Sequence, residues 1–148
     1  MNFFQTRHLF FCLIALMISS KAMALDVHVM THKTNKTLIT SEFLDRILRG
    51  QTLNWENNRP IILIIDELDG ISSDDFIKTT KMTKAQFLQF WRIKFFSGRA
   101  MLPQQTKFER IALESLQESV DGIYVVIGRT PDQKLLGDAG VQVTKLTY

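Results

Sequence analysis

Residues 40–66 constrain the fold most strongly, because they join a capped amphipathic helix to a wholly apolar strand. The helix is predicted to begin at a cap, Thr40 or Ser41, and to end at Gly50, since glycine readily adopts the left-handed conformation that closes many helices. Its apolar residues recur at helical spacing and form one face: Phe43, Leu44, Ile47 and Leu48. The apolar run at residues 61–65 is typical of a strand that is covered on both faces. A helix that leads into such a strand predicts α/β layering.

Strands and helices are predicted on both sides of this segment. Residues 25–30 alternate apolar and polar side chains, which predicts a half-buried strand, and residues 31–37 form a polar loop after it. An aromatic-rich helix is predicted at residues 83–96, and we interpret its aromatic stripe as part of the core rather than as a ligand platform or a partner groove. The members of this stripe are Phe87, Leu88, Trp91 and Phe95.

The last third of the chain predicts one more helix and two more strands. Thr106 and Glu109 match a capping box for a helix that runs to about Glu118. The residues expected to be buried on this helix are Phe108, Ile111, Ala112 and Leu116. A turn and strand follow at residues 119–126, and the alternation at residues 141–146 predicts a closing strand.

The first 24 residues predict a secretory signal peptide. Arg7 precedes an apolar run at residues 9–18, and small residues, Ala22 and Ala24, flank Met23 before the expected cleavage site. This run is too short to cross a bilayer, which takes about twenty residues, although an uncleaved N-terminal anchor is the alternative. We therefore expect a signal peptide at residues 1–24 and a single periplasmic α/β domain at residues 25–148.

The composition of the mature chain argues against several classes of function. Without Arg7 and Lys21 it carries 16 basic and 15 acidic residues, so its charge does not indicate a nucleic-acid partner. The chain's one cysteine, Cys12, lies in the signal peptide, so the domain must be stable without disulfides. His28 and His32 would lie about 13 Å apart along a strand, which does not predict a zinc site. With no recognisable nucleophile motif or metal-ligand spacing, we expect neither catalysis nor a cofactor.

Three motifs resemble the periplasmic phosphate-binding proteins of ABC transporters. The first is an Ile-Leu-Arg-Gly sequence at residues 47–50, followed by Trp55, Pro60 and a hydrophobic strand. The second is a W-x-x-x-F-x-x-G sequence at residues 91–98, and the third is the turn and strand at residues 119–126. The resemblance covers residues 37–127 and implies a single lobe of the type 2 periplasmic-binding-protein-like (PBP-like) fold, with a mixed sheet flanked by helices. Full-length members of that family have two lobes.

The resemblance also implies where an anion would bind. In the family an arginine and a Ser-Gly-Thr sequence follow the hydrophobic strand, and they hold the oxyanion with a guanidinium, hydroxyls and helix N-terminal amides. In this chain Asp66 or Glu67 falls at the arginine position. Of the Ser-Gly-Thr sequence, only serine hydroxyls remain, those of Ser72 and Ser73. Ser72 or Ser73 is the expected N-cap of the helix after this loop, which carries Phe76 and Ile77. The residues expected to bind an anion are Thr34, Ser72, Ser73 and Arg99.

Carboxylates crowd the same loop: Asp66, Glu67, Asp69, Asp74 and Asp75. They would repel a phosphate dianion, and Asp74 and Asp75 can themselves satisfy the N-terminus of the following helix. Calcium binding is an alternative, but the spacing lacks the regularity of a known calcium-binding loop.

Two functions remain open from the sequence. The first is an exported, non-catalytic solute-binding-like protein, similar to the phosphate-binding component of ABC transporters. Its ligand would be a small, phosphate-like anion, and its partner a transporter permease or another periplasmic protein. The second is a periplasmic protein-interaction module that keeps the lobe fold but has lost ligand binding, and the acidic loop favours it. Neither function requires a membrane span after signal cleavage.

Overall fold

The computed structural model describes residues 24–148, so the predicted signal peptide, apart from Ala24, lies outside the described residues. Five strands form one sheet: β1 (Asp26–His32), β2 (Ile62–Asp66), β3 (Gln104–Thr106), β4 (Gly122–Ile127) and β5 (Val141–Thr147). Within the described residues, five α-helices pack around it: α1 (Ser41–Leu48), α2 (Ser73–Thr80), α3 (Lys84–Phe96), α4 (Glu109–Glu118) and α5 (Gln133–Asp138). This arrangement confirms the predicted α/β class and the mixed sheet flanked by helices.

The sheet has the strand order β3-β2-β4-β1-β5. β2 pairs in parallel with β3 and with β4, placing Ile64 opposite Tyr124. β1 pairs antiparallel with both β4 and β5. The carboxyl ends of β2, β3 and β4 therefore meet at one edge of the sheet, which we call the carboxyl edge, and their amino ends meet at the opposite edge.

Helices cover both faces of the sheet. On one face, Leu63 and Ile65 of β2 belong to a core that includes residues from α1, α2 and α3. On the other, Ile64 belongs to a second core that includes residues of α4. β2 is thus buried between two layers, as its continuous apolar run predicts.

The predicted start and end of α1 are confirmed. The Thr40 hydroxyl accepts a hydrogen bond from the Phe43 amide at 3.1 Å and so caps the helix. Leu44, Ile47 and Leu48 form its buried face. Gly50 follows with a φ of 57°, the left-handed conformation expected of a glycine stop.

The prediction that β1 is half-buried is wrong. Its five inner residues are all buried, and the strand continues to His32, so the polar loop begins only at Lys33. The reason is the position of β1 inside the sheet, between β4 and β5, with Val27 and Met30 packed into the two opposite cores.

The aromatic stripe of α3 belongs to the core only in part. Phe87 and Trp91 are buried, and the Phe87 ring meets Phe76 edge-on with centroids 5.3 Å apart. The Trp91 indole donates a hydrogen bond to the Leu48 carbonyl at 3.3 Å, which links α3 to α1. Phe95, which was expected in the core, is exposed, because it borders an open pocket together with Trp91 and Met101.

The predicted capping box of α4 is absent. Phe108 is the N-cap residue, and its side chain has no acceptor with which to cap the helix. Thr106 instead ends strand β3, and its hydroxyl accepts a hydrogen bond from the Phe108 amide. The buried face is also shifted relative to the prediction: Phe108 and Ile111 are exposed. The residues buried on this helix are Glu109, Ala112, Leu113 and Leu116.

One strand and one α-helix of the described residues were not predicted, β3 and α5. β3 consists of three polar residues that pair with β2 at the sheet's edge, so it carries no apolar alternation. α5 has six residues and begins after Asp132, whose carboxylate accepts a hydrogen bond from the Lys134 amide. Within residues 24–148, no helix combines the length and the apolar character that a bilayer crossing requires.

Candidate binding site

A cavity of about 540 Å³ opens at the carboxyl edge of the sheet. Asp66, the last residue of β2, and Arg129, which follows β4, both line it. The ends of parallel strands are where open α/β sheets place their ligand sites. The other lining residues come from the loops after β2, β3 and β4 and from the start of α4: Glu67, Gly70, Ile71, Ser72, Thr106, Lys107, Glu109, Ile127 and Gly128.

Arg129 is held by two carboxylates. Its Nε and Nη2 atoms donate to the two oxygens of Asp66 at 2.7 and 2.8 Å, and Nη1 donates to Glu109 at 2.6 Å. The side chains of Asp66 and Glu109 are only 13% and 8% exposed, whereas that of Arg129 is 41% exposed. The hydrogen bonds to Asp66 raise the pKa of Arg129, so the guanidinium stays charged at every ordinary pH.

Tyr124 completes this group, and we call these four residues the Arg129 cluster: Asp66, Glu109, Tyr124 and Arg129. The Tyr124 hydroxyl donates to Asp66 and accepts a hydrogen bond from Nη2 of Arg129 at 2.8 Å. Burial raises the pKa of Tyr124, and the hydrogen bond to Asp66 raises it further. The phenol is therefore a neutral donor that fixes the orientation of the Asp66 carboxylate.

Glu109 links the cluster to the loop after β4. Its second carboxylate oxygen accepts a hydrogen bond from the Asp132 amide at 2.9 Å, while the first accepts from Arg129. One buried side chain thus connects the start of α4 with the start of α5. This is why Glu109 does not complete the predicted capping box.

The Arg129 cluster carries two negative charges against one positive charge. A guanidinium has five N–H donors, and within the described residues four of those of Arg129 already have acceptors. One N–H, on Nη1, remains for a ligand. Lys107 adds no unpaired charge, since its ammonium lies 3.2 Å from the Glu67 carboxylate. An incoming anion must therefore compete with Asp66 and Glu109 for Arg129.

Ser72 has the predicted capping role and lies at the cavity. Its hydroxyl accepts a hydrogen bond from the Asp75 amide at 3.1 Å at the N-terminus of α2. The Asp75 carboxylate approaches Gly128 so closely that a Cβ there would lie 2.8 Å from its Oδ2 atom. Gly128 also has a φ of 74°, so glycine suits this position on both grounds. Ser73 is the first residue of α2 and is exposed.

The structure does not bring the four sequence-predicted anion ligands into one cavity. Ser72 lines the cavity at the carboxyl edge. Arg99 lines a separate pocket of about 380 Å³ near the amino end of β2, together with Trp91 and Met101. Thr34 lines a third pocket, of about 270 Å³, and its hydroxyl lies 2.7 Å from Nδ1 of His32.

Sequence reasoning missed Arg129, Glu109 and Tyr124 as site residues. Arg129 lies two residues after the end of the buried strand β4, where α/β proteins place functional groups, and that signal could have identified it. The crowd of carboxylates after β2 does not amount to a metal site. Among residues 24–148, no group of three or more His, Cys, Asp or Glu side chains is arranged to hold a metal ion.

Comparisons with known proteins support the fold assignment. No family model matches this sequence, and no curated protein matches it significantly. The structure resembles an ABC-type phosphate transport receptor from Vibrio cholerae, with a TM-score of 0.56 and 15% identity over 81% of this chain and 46% of the receptor. It also resembles a protein from Clostridium perfringens that is described as a phosphate ABC transporter substrate-binding protein with bound phosphate. That comparison has a TM-score of 0.56 and 18% identity over 83% of this chain and 46% of the other.

The chain spans about half the length of these two solved structures. Both are described as transport components. The predicted resemblance is therefore confirmed at the level of fold: the chain folds like part of a phosphate ABC transporter substrate-binding protein, as a single PBP-like lobe.

Proposed function

We propose that this protein is an exported, non-catalytic solute-binding-like protein whose single lobe, residues 25–148, binds a small oxyanion at Arg129. The observation that carries the proposal is a partly exposed guanidinium in a cavity at the carboxyl edge of a sheet with this fold. Ser72, the N-cap residue of α2, lines the same cavity. Removal of residues 1–24 would release the lobe into the periplasm, where a permease or another periplasmic protein would be its partner.

The same geometry predicts weak binding. An oxyanion can accept a hydrogen bond from the one N–H of Arg129 that has no acceptor among the described residues. To accept a further hydrogen bond from Arg129, it must displace a carboxylate. A single lobe also lacks the opposing wall that would exclude water from the ligand. The ligand is therefore expected to bind less tightly than it would in a closed, two-lobed site.

The proposal can be tested by thermal unfolding of residues 25–148 with phosphate, sulfate and calcium. An oxyanion at a hundredfold excess over its dissociation constant should stabilise the fold by about 2.7 kcal/mol, which is a shift of several degrees for a domain of this size. The Arg129→Gln variant should lose the shift, and Arg99→Gln, in the separate pocket, should keep it. A shift that survives in Arg129→Gln would place the anion elsewhere.

A second candidate function is a periplasmic protein-interaction module that has lost ligand binding. The specific observation in its favour is that four of the five N–H donors of Arg129 already have protein acceptors. This function predicts that oxyanions raise the unfolding temperature of the wild type no more than that of Arg129→Gln. The unfolding experiment therefore separates the two candidates.

A further inference from the structure

Exposed apolar side chains are concentrated at the end of α3 and in the loop after it. Of the ten large apolar side chains that are exposed in residues 24–148, five lie within residues 93–102. We call these five the α3 tip: Ile93, Phe95, Phe96, Met101 and Leu102. Phe96 is 82% exposed, and its ring contacts that of Phe95, with centroids 5.5 Å apart. Clustered apolar exposure of this kind indicates an interaction surface.

The α3 tip lies in the most basic part of the chain. Residues 76–108 contain seven Lys and Arg residues and no Asp or Glu. Three of the cations, Arg92, Lys94 and Arg99, alternate with the apolar residues of the tip. Within the described part of the chain, none of these three has a carboxylate within 4 Å. Their charges are therefore available to an anionic partner.

The position of the α3 tip also separates it from the candidate binding site. It precedes β3, and Phe95 and Met101 share a pocket with Ile61, which immediately precedes β2. The tip therefore lies at the amino edge of these parallel strands, whereas the Arg129 cluster lies at the carboxyl edge. A partner on the tip would leave the cavity at Arg129 open.

We propose that the α3 tip docks the protein on an anionic phospholipid surface, with Phe96 inserted among the headgroups and Arg92 and Arg99 bound to lipid phosphates. Aromatic and aliphatic side chains among basic residues are the composition of surfaces that bind at the membrane interface. A second copy of the chain fits less well, because a two-fold contact would bring Arg92, Lys94 and Arg99 of each copy together. An uncharged apolar partner would leave the same cations without counter-charges.

Vesicle binding by the exported and purified protein tests this proposal. Phosphatidylcholine vesicles with phosphatidylglycerol should bind the protein, and vesicles of phosphatidylcholine alone should not. Arg92→Gln and Arg99→Gln each remove one positive charge, and each should lower the vesicle partition constant about fivefold. Phe96→Ser should weaken it about tenfold, because a buried aromatic ring supplies much of the binding.

Leu38→Ser is the matched control. Leu38 is 80% exposed, like Phe96, but lies in the loop before α1, so its loss should leave vesicle binding unchanged. Circular dichroism should show that all four variants are folded, since each changes an exposed side chain.

Four results would overturn the proposal. One is the absence of binding to the phosphatidylglycerol vesicles, and another is an equal loss in Phe96→Ser and Leu38→Ser. The third is a complex with a polyglutamate peptide, dependent on Arg92 and Arg99, in the absence of vesicle binding, which would assign the surface to an acidic protein. The fourth is a dimer, detected by sedimentation and dissociated by Phe96→Ser, in the absence of vesicle binding, which would assign the surface to a second copy of the chain.

Discussion

At the scale of single residues, Arg129 determines what the cavity at the carboxyl edge can hold. Its guanidinium is the positive group that an oxyanion would need, and Asp66 and Glu109 already occupy most of its donors. The carboxylates are themselves fixed by neighbours, Asp66 by the Tyr124 hydroxyl and Glu109 by the Asp132 amide. Any oxyanion that entered the cavity would therefore compete with these two carboxylates for one side chain.

Loss of the Glu109 charge should destabilise the protein measurably. Glu109→Gln leaves Arg129 with one charged partner and weakens the contact to Asp132, so we expect a loss of about 1–3 kcal/mol in the free energy of unfolding. Urea denaturation measures it. Glu114→Gln on the same helix is the control, because its ion pair with Arg110 is exposed and should contribute less than about 0.5 kcal/mol. Equal losses in the two variants would contradict the assigned role of Glu109.

The two tyrosines predict the alkaline behaviour of the fold. Burial raises the pKa of both Tyr124 and Tyr148, and hydrogen bonds to Asp66 and Asp45 raise these pKa values further. In the unfolded chain both phenols titrate near pH 10. Above that pH the unfolded state loses protons that the folded state retains, so stability is present below about pH 10 and falls as the pH rises further.

Spectrophotometric titration tests this prediction directly, because Tyr124 and Tyr148 are the chain's two tyrosines. The phenolate absorbance should stay low at pH 10 to 11 in the native protein and appear together with unfolding. In concentrated guanidinium chloride the same absorbance should titrate near pH 10. A native curve that matches the denatured one would show that neither phenol is protected.

At the scale of elements, local signals decided what the sequence could predict. α1 was predicted because Thr40, its apolar face and Gly50 all lie within one short segment. β3 was not, because its three polar residues gain their strand conformation from pairing with β2, about forty residues away. The prediction for β1 failed for a similar reason, since burial on its second face depends on α4 and β4, which come much later in the chain.

α3 contains both a core face and an exposed tip, and substitutions should separate them. Phe87 is fully buried against Phe76 and Trp91, so Phe87→Ala should cost about 3–5 kcal/mol of unfolding free energy. Phe96→Ala should change it by less than about 0.5 kcal/mol, because the ring is exposed. Urea denaturation of the two variants makes the comparison. A large cost at Phe96 would mean that its ring is packed rather than free to bind a partner.

The candidate site shows the same limit of local reasoning. Ser72 was predicted because a serine before an acidic helix start is a local capping pattern. The pairing of Asp66 with Arg129 joins residues 63 positions apart, and no sequence pattern relates them. The sequence thus indicated a strand end crowded with carboxylates, and only the fold shows which cation they hold.

At the scale of the whole molecule, the chain is one lobe with two different edges. The carboxyl edge carries the Arg129 cluster and its cavity, and the amino edge carries the apolar and basic α3 tip. The solved structures that it resembles are about twice as long as the aligned region. A protein of this form could bind a solute at its carboxyl edge and a phospholipid surface at its amino edge, because neither contact would block the other.

The most direct test of the central claim is a calorimetric titration of phosphate into residues 25–148 and into two variants. If Asp66 competes with the anion for Arg129, Asp66→Asn should bind phosphate about tenfold more tightly than the wild type. Asp69→Asn, in the same loop but outside the Arg129 cluster, should match the wild type. Phosphate binding that is absent from both the wild type and Asp66→Asn would contradict the claim that Arg129 is an anion-binding group.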